Sequence, residues 1–332
     1  MFIFIQYIGG AFLGWSLGAN DSANVFGTAV SARMVSYRLA IVLTALFVIV
    51  GAVLQGRAGI ETYSRKMTRE ATVAARERQN MVFSPVHKAI SISFAAAITV
   101  TIMTVFKLPV STSQAVVGAI IGIGIMEQNA NFSQLGKVIA CWVGTPIGGA
   151  LFTLLFYYFF GWILRKWKPP IFIYDPMMSL LLIICGAYGA YALGANNVAN
   201  VSGVFVGEGM LTVGEAAWYG SIAIAVGALT YSKQVMMTVG KGIVKLDSFA
   251  AFVCVLAHAV TVHIFAIIGV PVSTSQAIVG AILGIGLIKG AHTVNYRSLG
   301  KITTGWLATP FVAMAIAIVG YFILHLDYVG PK

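Results

Sequence analysis

Two phrases in this chain set ligand-type side chains in apolar surroundings. Gly18-Ala19-Asn20-Asp21-Ser22-Ala23-Asn24 lies between apolar residues 2–17 and 25–30, and Gly194-Ala195-Asn196-Asn197-Val198-Ala199-Asn200 interrupts a second such run. Amide oxygens, a hydroxyl and one carboxylate are donors that hard cations take, and amide N–H groups suit an anion. In lipid an ionised Asp21 costs about 3 kcal/mol on insertion scales, so it must face a partner, a cavity or an ion. Helix-packing asparagines would explain the amides but not the carboxylate. A costly feature built twice reads as a site.

A second pair of phrases is longer. Pro109-Val110-Ser111-Thr112-Ser113-Gln114 continues to Gly124, and Pro271-Val272-Ser273-Thr274-Ser275-Gln276 continues to Gly286, with differences only at Val116/Ile278 and Ile121/Leu283. Proline followed by hydroxyls and an apolar stretch marks a helix N-terminus, where hydroxyls accept from free N–H groups. The apolar stretch 115–126 is about 18 Å long at 1.5 Å per residue, too short for a hydrocarbon core of roughly 30 Å. A polar cap before so short a helix predicts a re-entrant hairpin with its tip at mid-membrane. Two such tips would aim helix N-termini, each worth about +0.5 charge, at a shared centre.

The elements that must position these phrases are transmembrane helices. The chain has 332 residues, 59% hydrophobic and 9% charged, against about 25% charged in soluble domains. Apolar runs fall at 2–33, 39–55, 84–106, 109–126 and 135–164, then at 177–207, 212–232, 248–270, 271–288 and 299–326. The expectation is an all-α integral membrane protein. The two sets are copies: Gly18/Gly194, Gly51/Gly227 and Thr62/Thr238 stand 176 apart and Pro109/Pro271 stand 162 apart, so the first copy has 14 extra residues (176 − 162). Such self-similarity is a repeat signature. The expected division is a first transmembrane repeat at 1–164, a basic connecting loop at 165–176 and a second repeat at 177–332. Discontinuous helices are expected at the asparagine phrases, and Pro146 is a candidate break in 135–164. Counting apolar runs leaves open whether the repeats are parallel or inverted.

The formal charge of +11 sits mostly in polar links. Arg65, Lys66, Arg69, Arg76 and Arg78 fall in 57–88, which reads as an amphipathic surface helix, and Arg165, Lys166 and Lys168 precede Pro169-Pro170. Loops on anionic lipid at the cytoplasmic face explain this better than nucleic acid does. Cys141, Cys185 and Cys254 read as small buried hydrophobes. No basic n-region precedes the first run, so it reads as a retained span.

Charge balance narrows the chemistry. No Lys or Arg lies in any of the four phrases; the nearest are Arg33 and Lys107. If the anion is phosphate, it carries about −1.5 by analogy with a phosphomonoester, against about +1 from two helix termini and −1 from an ionised Asp21. The deficit calls for bound cations, and sodium suits oxygen ligands. Importing about 1.5 negative charges against a negative-inside potential costs about 3.5 kcal/mol per 100 mV, a sign that two accompanying sodium ions reverse. That charge balance favours cation-coupled symport.

The phrases resemble the duplicated signatures of the inorganic phosphate transporter (PiT) family: GAND-x-(A/S)-N at 18–24 and 194–200, and P-(V/I)-S-(T/S)-(S/T) at 109–113 and 271–275. The resemblance covers nearly the whole chain. It implies a multi-pass cell-membrane symporter that imports inorganic phosphate with sodium, by alternating access around a mid-membrane site between inverted repeats. It also implies a homo-oligomer, a dimer, in the lipid bilayer, and no cofactor beyond co-transported sodium. Carried over by position, phosphate falls to Asp21, Asn24, Ser111, Thr112, Ser113, Asn197, Asn200, Ser273, Thr274 and Ser275. Sodium falls to Asn20, Asp21, Ser111, Gln114, Asn196, Asn197, Ser273 and Gln276. Asn197 stands where many members keep a second Asp, which bears on the choice between sodium and proton.

Other readings stay beside this one. Proton-coupled phosphate uptake and sulfate uptake would use the same fold, since both anions are tetrahedral. A passive anion channel would carry basic rings, and none is visible in the sequence. No H-E-x-x-H, G-x-S-x-G or paired-carboxylate motif points to an enzyme. His258 and His263 are expected to hydrogen-bond between helices, with a proton relay as the sharper alternative. The aromatic cluster 156–162 suits a lipid-facing belt.

Overall fold

The structure is a computed structural model and describes residues 6–66, 85–107, 109–127, 130, 132–244 and 246–328. Arg69, Arg76 and Arg78 of the expected surface helix lie outside the described residues. Among the described residues twelve α-helices follow in order: α1 (Ile8–Ser31), α2 (Tyr37–Gln55), α3 (Arg57–Lys66), α4 (Pro85–Val105), α5 (Thr112–Met126), α6 (Phe132–Trp167), α7 (Ile171–Gly207), α8 (Val213–Tyr231), α9 (Lys233–Gly242), α10 (Ser248–Ile268), α11 (Thr274–Lys289) and α12 (Tyr296–Tyr328). Among the described residues no strand is present, and seven helices are long and apolar enough to cross a membrane. The helix α1, which carries the first polar phrase, is not one of the seven.

Caps explain several starts. Ser36 accepts the Leu39 N–H before α2, and Thr212 and Glu215 form a reciprocal capping box before α8. Asp247 accepts the Ala250 N–H before α10 and pairs with Lys289 at 2.5 Å. Burial raises the Asp247 carboxyl, but the Ala250 N–H and the Lys289 ammonium outweigh it and hold the group below the usual carboxylate range.

The helix breaks do not fall at the asparagine phrases. Both α1 and α7 run through them as continuous helices, because neither phrase contains proline and unpaired backbone groups are costly in lipid. Pro146 likewise sits inside the continuous α6, and Pro310 inside α12. The chain turns instead at Gly56, at Ser232 and before α5 and α11. The turn before α11 uses Gly269 in the left-handed region (φ 75°), and the turn before α5 uses Lys107 there (φ 60°), a conformation costing a non-glycine residue about 1 kcal/mol.

The two copies interleave. Helix α1 packs on α8 and α7 on α2; α5 packs on α12 and α11 on α6. Backbone touches backbone at each seam: a Cβ on Gly18 would lie 1.9 Å from the Ile224 carbonyl oxygen, and one on Gly194 2.0 Å from that of Val48. Gly227 meets Trp15 as Gly51 meets Tyr191, and Gly118 meets Pro310 as Gly280 meets Pro146. Each contact thus occurs twice with the copies exchanged. The helices α1 and α7, which correspond in sequence, cross antiparallel: Gly10 faces Phe205, Gly14 faces Val201, Gly189 faces Val25 and Gly186 faces Phe26. That crossing brings the two asparagine phrases together at the centre.

Candidate functional site

At the α1–α7 crossing every polar side chain of the four phrases is buried, with exposures of 0–6%. Asp21 Oδ2 accepts from the Thr112 hydroxyl at 2.9 Å and from the Asn197 amide at 2.9 Å, so the start of α5 and the second asparagine phrase share one carboxylate oxygen. Asn24 donates to Asp21 Oδ1 at 3.4 Å and to Thr274 Oγ1 at 3.2 Å, which ties in the second tip. Asn197 Oδ1 accepts from Asn200 at 3.1 Å and from Asn196 at 2.6 Å. One network therefore joins Asp21, Asn24, Thr112, Asn196, Asn197, Asn200 and Thr274.

Asn20 and Asn196 have a second job that the sequence did not reveal. The Asn20 amide oxygen accepts the Val110 N–H at 3.1 Å, and the Asn196 oxygen accepts the Val272 N–H at 3.2 Å. Their NH2 groups reach Thr104 Oγ1 at 2.9 Å and the Val272 carbonyl at 2.9 Å. Each clamps its own copy's tip, whose N–H has no helical partner.

The tips are capped as expected: Ser111 accepts the Gln114 N–H at 3.3 Å and Ser273 the Gln276 N–H at 3.2 Å. Ser111 and Ser113 hydroxyls lie 3.3 Å apart, those of Ser273 and Ser275 3.0 Å apart. Within the four phrases, four buried side-chain oxygens have no hydrogen-bond partner, and they form two equivalent pairs: Asn24 and Asn200 Oδ1, and Gln114 and Gln276 Oε1. A buried acceptor without a donor is costly, and a cation satisfies it where an oxyanion cannot. Asp21 is the sole ionisable side chain in the four phrases.

The two histidines differ. His263 hydrogen-bonds Tyr188 OH and Gln55 Oε1, each at 2.7 Å, and Tyr191 OH donates to the same Gln55 oxygen at 2.9 Å. His258 is fully buried with neither nitrogen bonded, so the expected interhelical bond is absent there. The Tyr188–His263–Gln55 chain went unseen in the sequence because its members lie 75 and 208 residues apart.

A sequence model described as the phosphate transporter family matches residues 17–317. The chain belongs to that family. As a member of the phosphate transporter family it is a multi-pass membrane transporter and not an enzyme. A Methanocaldococcus jannaschii relative named "Putative phosphate permease" is 30% identical over 91% of this chain and 91% of its own length. A Bacillus subtilis relative named "Sulfate permease CysP" is 28% identical over 96% of this chain and 87% of its own length. The fold matches the solved structure of "The sodium-dependent phosphate transporter" with a TM-score of 0.85, at 24% identity, over 98% of this chain and 100% of that one.

Proposed function

We propose that this protein imports inorganic phosphate in symport with sodium. The observation that carries the reading is the Asp21 carboxylate bridging Thr112 and Asn197 among four unsatisfied oxygens, in phrases without Lys or Arg. Phosphate at about −1.5 beside Asp21 overdraws the roughly +1 of two helix termini. Sodium ions taken up by the Asn24, Asn200, Gln114 and Gln276 oxygens close that gap, with Asp21, Asn197, Ser111 and Ser273 completing the ligand set. Phosphate then sits on the tips, held by the hydroxyls of Thr112, Ser113, Thr274 and Ser275 and by the free N–H groups behind them. Asn20 and Asn196 keep the tips in place and act on sodium only through them.

The antiparallel crossing of α1 and α7 supports inverted repeats, with 1–164 and 177–332 rocking about the site in alternating access. Dimerisation in the bilayer is part of the same reading. Uptake of labelled phosphate into proteoliposomes, with and without an inward sodium gradient, tests it.

A second reading, sulfate uptake, is favoured by the similarity to the Bacillus subtilis relative. The two anions differ in one bond: protonated phosphate donates to a carboxylate, sulfate does not. Asp21 as an acceptor therefore selects phosphate, and excess sulfate should leave phosphate uptake within about twofold of its uninhibited rate. Equal competition by sulfate would transfer the assignment to sulfate.

A further inference from the structure

One pair of unsatisfied groups stands outside the network above. The indole N–H groups of Trp142 and Trp306 are buried without a partner, and the two residues occupy equivalent places, four before Pro146 and four before Pro310. Proline has no N–H, so Pro146 cannot bond the Trp142 carbonyl as helical geometry would require, nor can Pro310 bond that of Trp306. Each tryptophan therefore lacks an acceptor for its indole and the usual helical donor for its carbonyl.

The facing helix supplies a third group. Helices α6 and α11 run parallel in contact, with Gly280 on Pro146 and Gly284 on Ala150 and Thr153. Residues four apart share a helix face. One turn before the Pro146–Gly280 contact, the same faces carry Trp142 on α6 and Gln276 on α11. The other seam repeats this, with Trp306 and Gln114 one turn before the Pro310–Gly118 contact. Gln276 Oε1 and Gln114 Oε1 are the unsatisfied acceptors. By that register one donor and two acceptors fall at the same level of each seam, and the indole and the amide are not bonded directly.

We propose that each seam holds one ordered water, which accepts from the Trp indole and donates to the Trp carbonyl and the Gln side-chain oxygen. A single water has that capacity, and buried waters typically make about three hydrogen bonds. A cation would be repelled by the indole N–H, and an anion by the two oxygens. The water fixes the glutamine amide with its oxygen turned inward, leaving that oxygen's second lone pair for a co-transported cation. Trp142 and Trp306 are thus positioning residues acting through Gln276 and Gln114. The functional consequence rests on the sodium reading; the water itself does not.

Two measurements keep these apart. In full-length protein labelled at the indole nitrogens, the six tryptophans give separate N–H resonances, assigned by single Trp→Phe variants. The Trp142 and Trp306 resonances should show cross-peaks to water. Gln276→Ala should shift the Trp142 resonance alone, and Gln114→Ala that of Trp306 alone. Missing water cross-peaks, or a Gln276→Ala spectrum that moves both indoles or neither, would overturn the seam water. In proteoliposomes, Trp142→Phe should raise the sodium half-saturation about tenfold, the size expected for a group orienting a metal ligand, with the phosphate KM at saturating sodium unchanged. Adding Gln276→Ala should produce little further loss. Additive losses would overturn the positioning role. Intact indole–Gln coupling in a protein whose uptake ignores sodium would overturn the sodium reading and leave the water standing.

Discussion

The Asp21 carboxylate and the Asn197 amide hold equivalent positions in the two copies and meet at 2.9 Å. They break the near-symmetry of the site: one copy brings an acid, the other the donor that steadies it. Asp21→Asn would make the two phrases alike at this position. Hydrogen bonds to a charged group are worth about 1.5–3 kcal/mol, so cation-driven uptake should fall roughly 10- to 100-fold. The thermal midpoint in detergent should stay within a few degrees, since Asn preserves the shape and one acceptor oxygen. Unchanged sodium dependence would remove Asp21 from the cation site.

Ser113 and Ser275 each share a hydrogen bond with the serine that caps the same tip. Replacing both with Ala removes two hydroxyls from the proposed anion seat and leaves the Ser111 and Ser273 caps intact. At about 1 kcal/mol net for each, the phosphate KM should rise about 10- to 30-fold. A KM within twofold of wild type would place phosphate elsewhere.

The glycine seams predict matched effects from distant substitutions. Gly18→Ala would push a methyl to 1.9 Å from the Ile224 carbonyl oxygen, and Gly194→Ala to 2.0 Å from that of Val48. Both obstacles are backbone and cannot swing aside. Each variant should lose about 2 kcal/mol or more, seen as a comparable fall in thermal midpoint. A neutral effect at one position would contradict the exchanged packing of the copies.

Lys88 binds Glu127 at 2.8 Å and Glu208 at 3.4 Å, joining α4, the end of α5 and the end of α7 with side chains only 12–18% exposed. Lys88→Ala takes the ammonium away from two shielded carboxylates, a loss expected to cost about 3 kcal/mol. Adding Glu127→Gln and Glu208→Gln should recover part of the loss in a denaturation midpoint. No recovery would mean that the lysine's stem, not its charge, holds these ends together.

Much of this site is written locally. Ser111 and Ser273 cap their helices as their sequence neighbours dictate, and the 176-residue spacing that aligns Gly18 with Gly194 also aligns the Asp21–Asn197 bond. What the sequence hid depends on crossings. The asparagine phrases suggested broken helices because polar side chains interrupt an apolar run. Backbone continuity in α1 and α7 was kept, since those side chains find partners on other helices. Asn20 reads as an ion ligand by its residue type, while the bond its oxygen accepts from the Val110 N–H depends on a turn 90 residues further along the chain. The Tyr188–His263–Gln55 chain has no counterpart in the first copy, where Phe12 and Thr101 stand at the positions of Tyr188 and His263, so the repeat holds no pointer to it.

The most direct test is initial uptake of labelled phosphate by purified protein in proteoliposomes, under an imposed inward sodium gradient, with a potassium gradient of equal ionic strength as the control. Accumulation above equilibrium that requires sodium, collapses when the gradient is dissipated and is lost in Asp21→Asn is the expected result. Equal uptake in both gradients, or equilibration without accumulation, would contradict an oxyanion site neutralised by co-transported sodium.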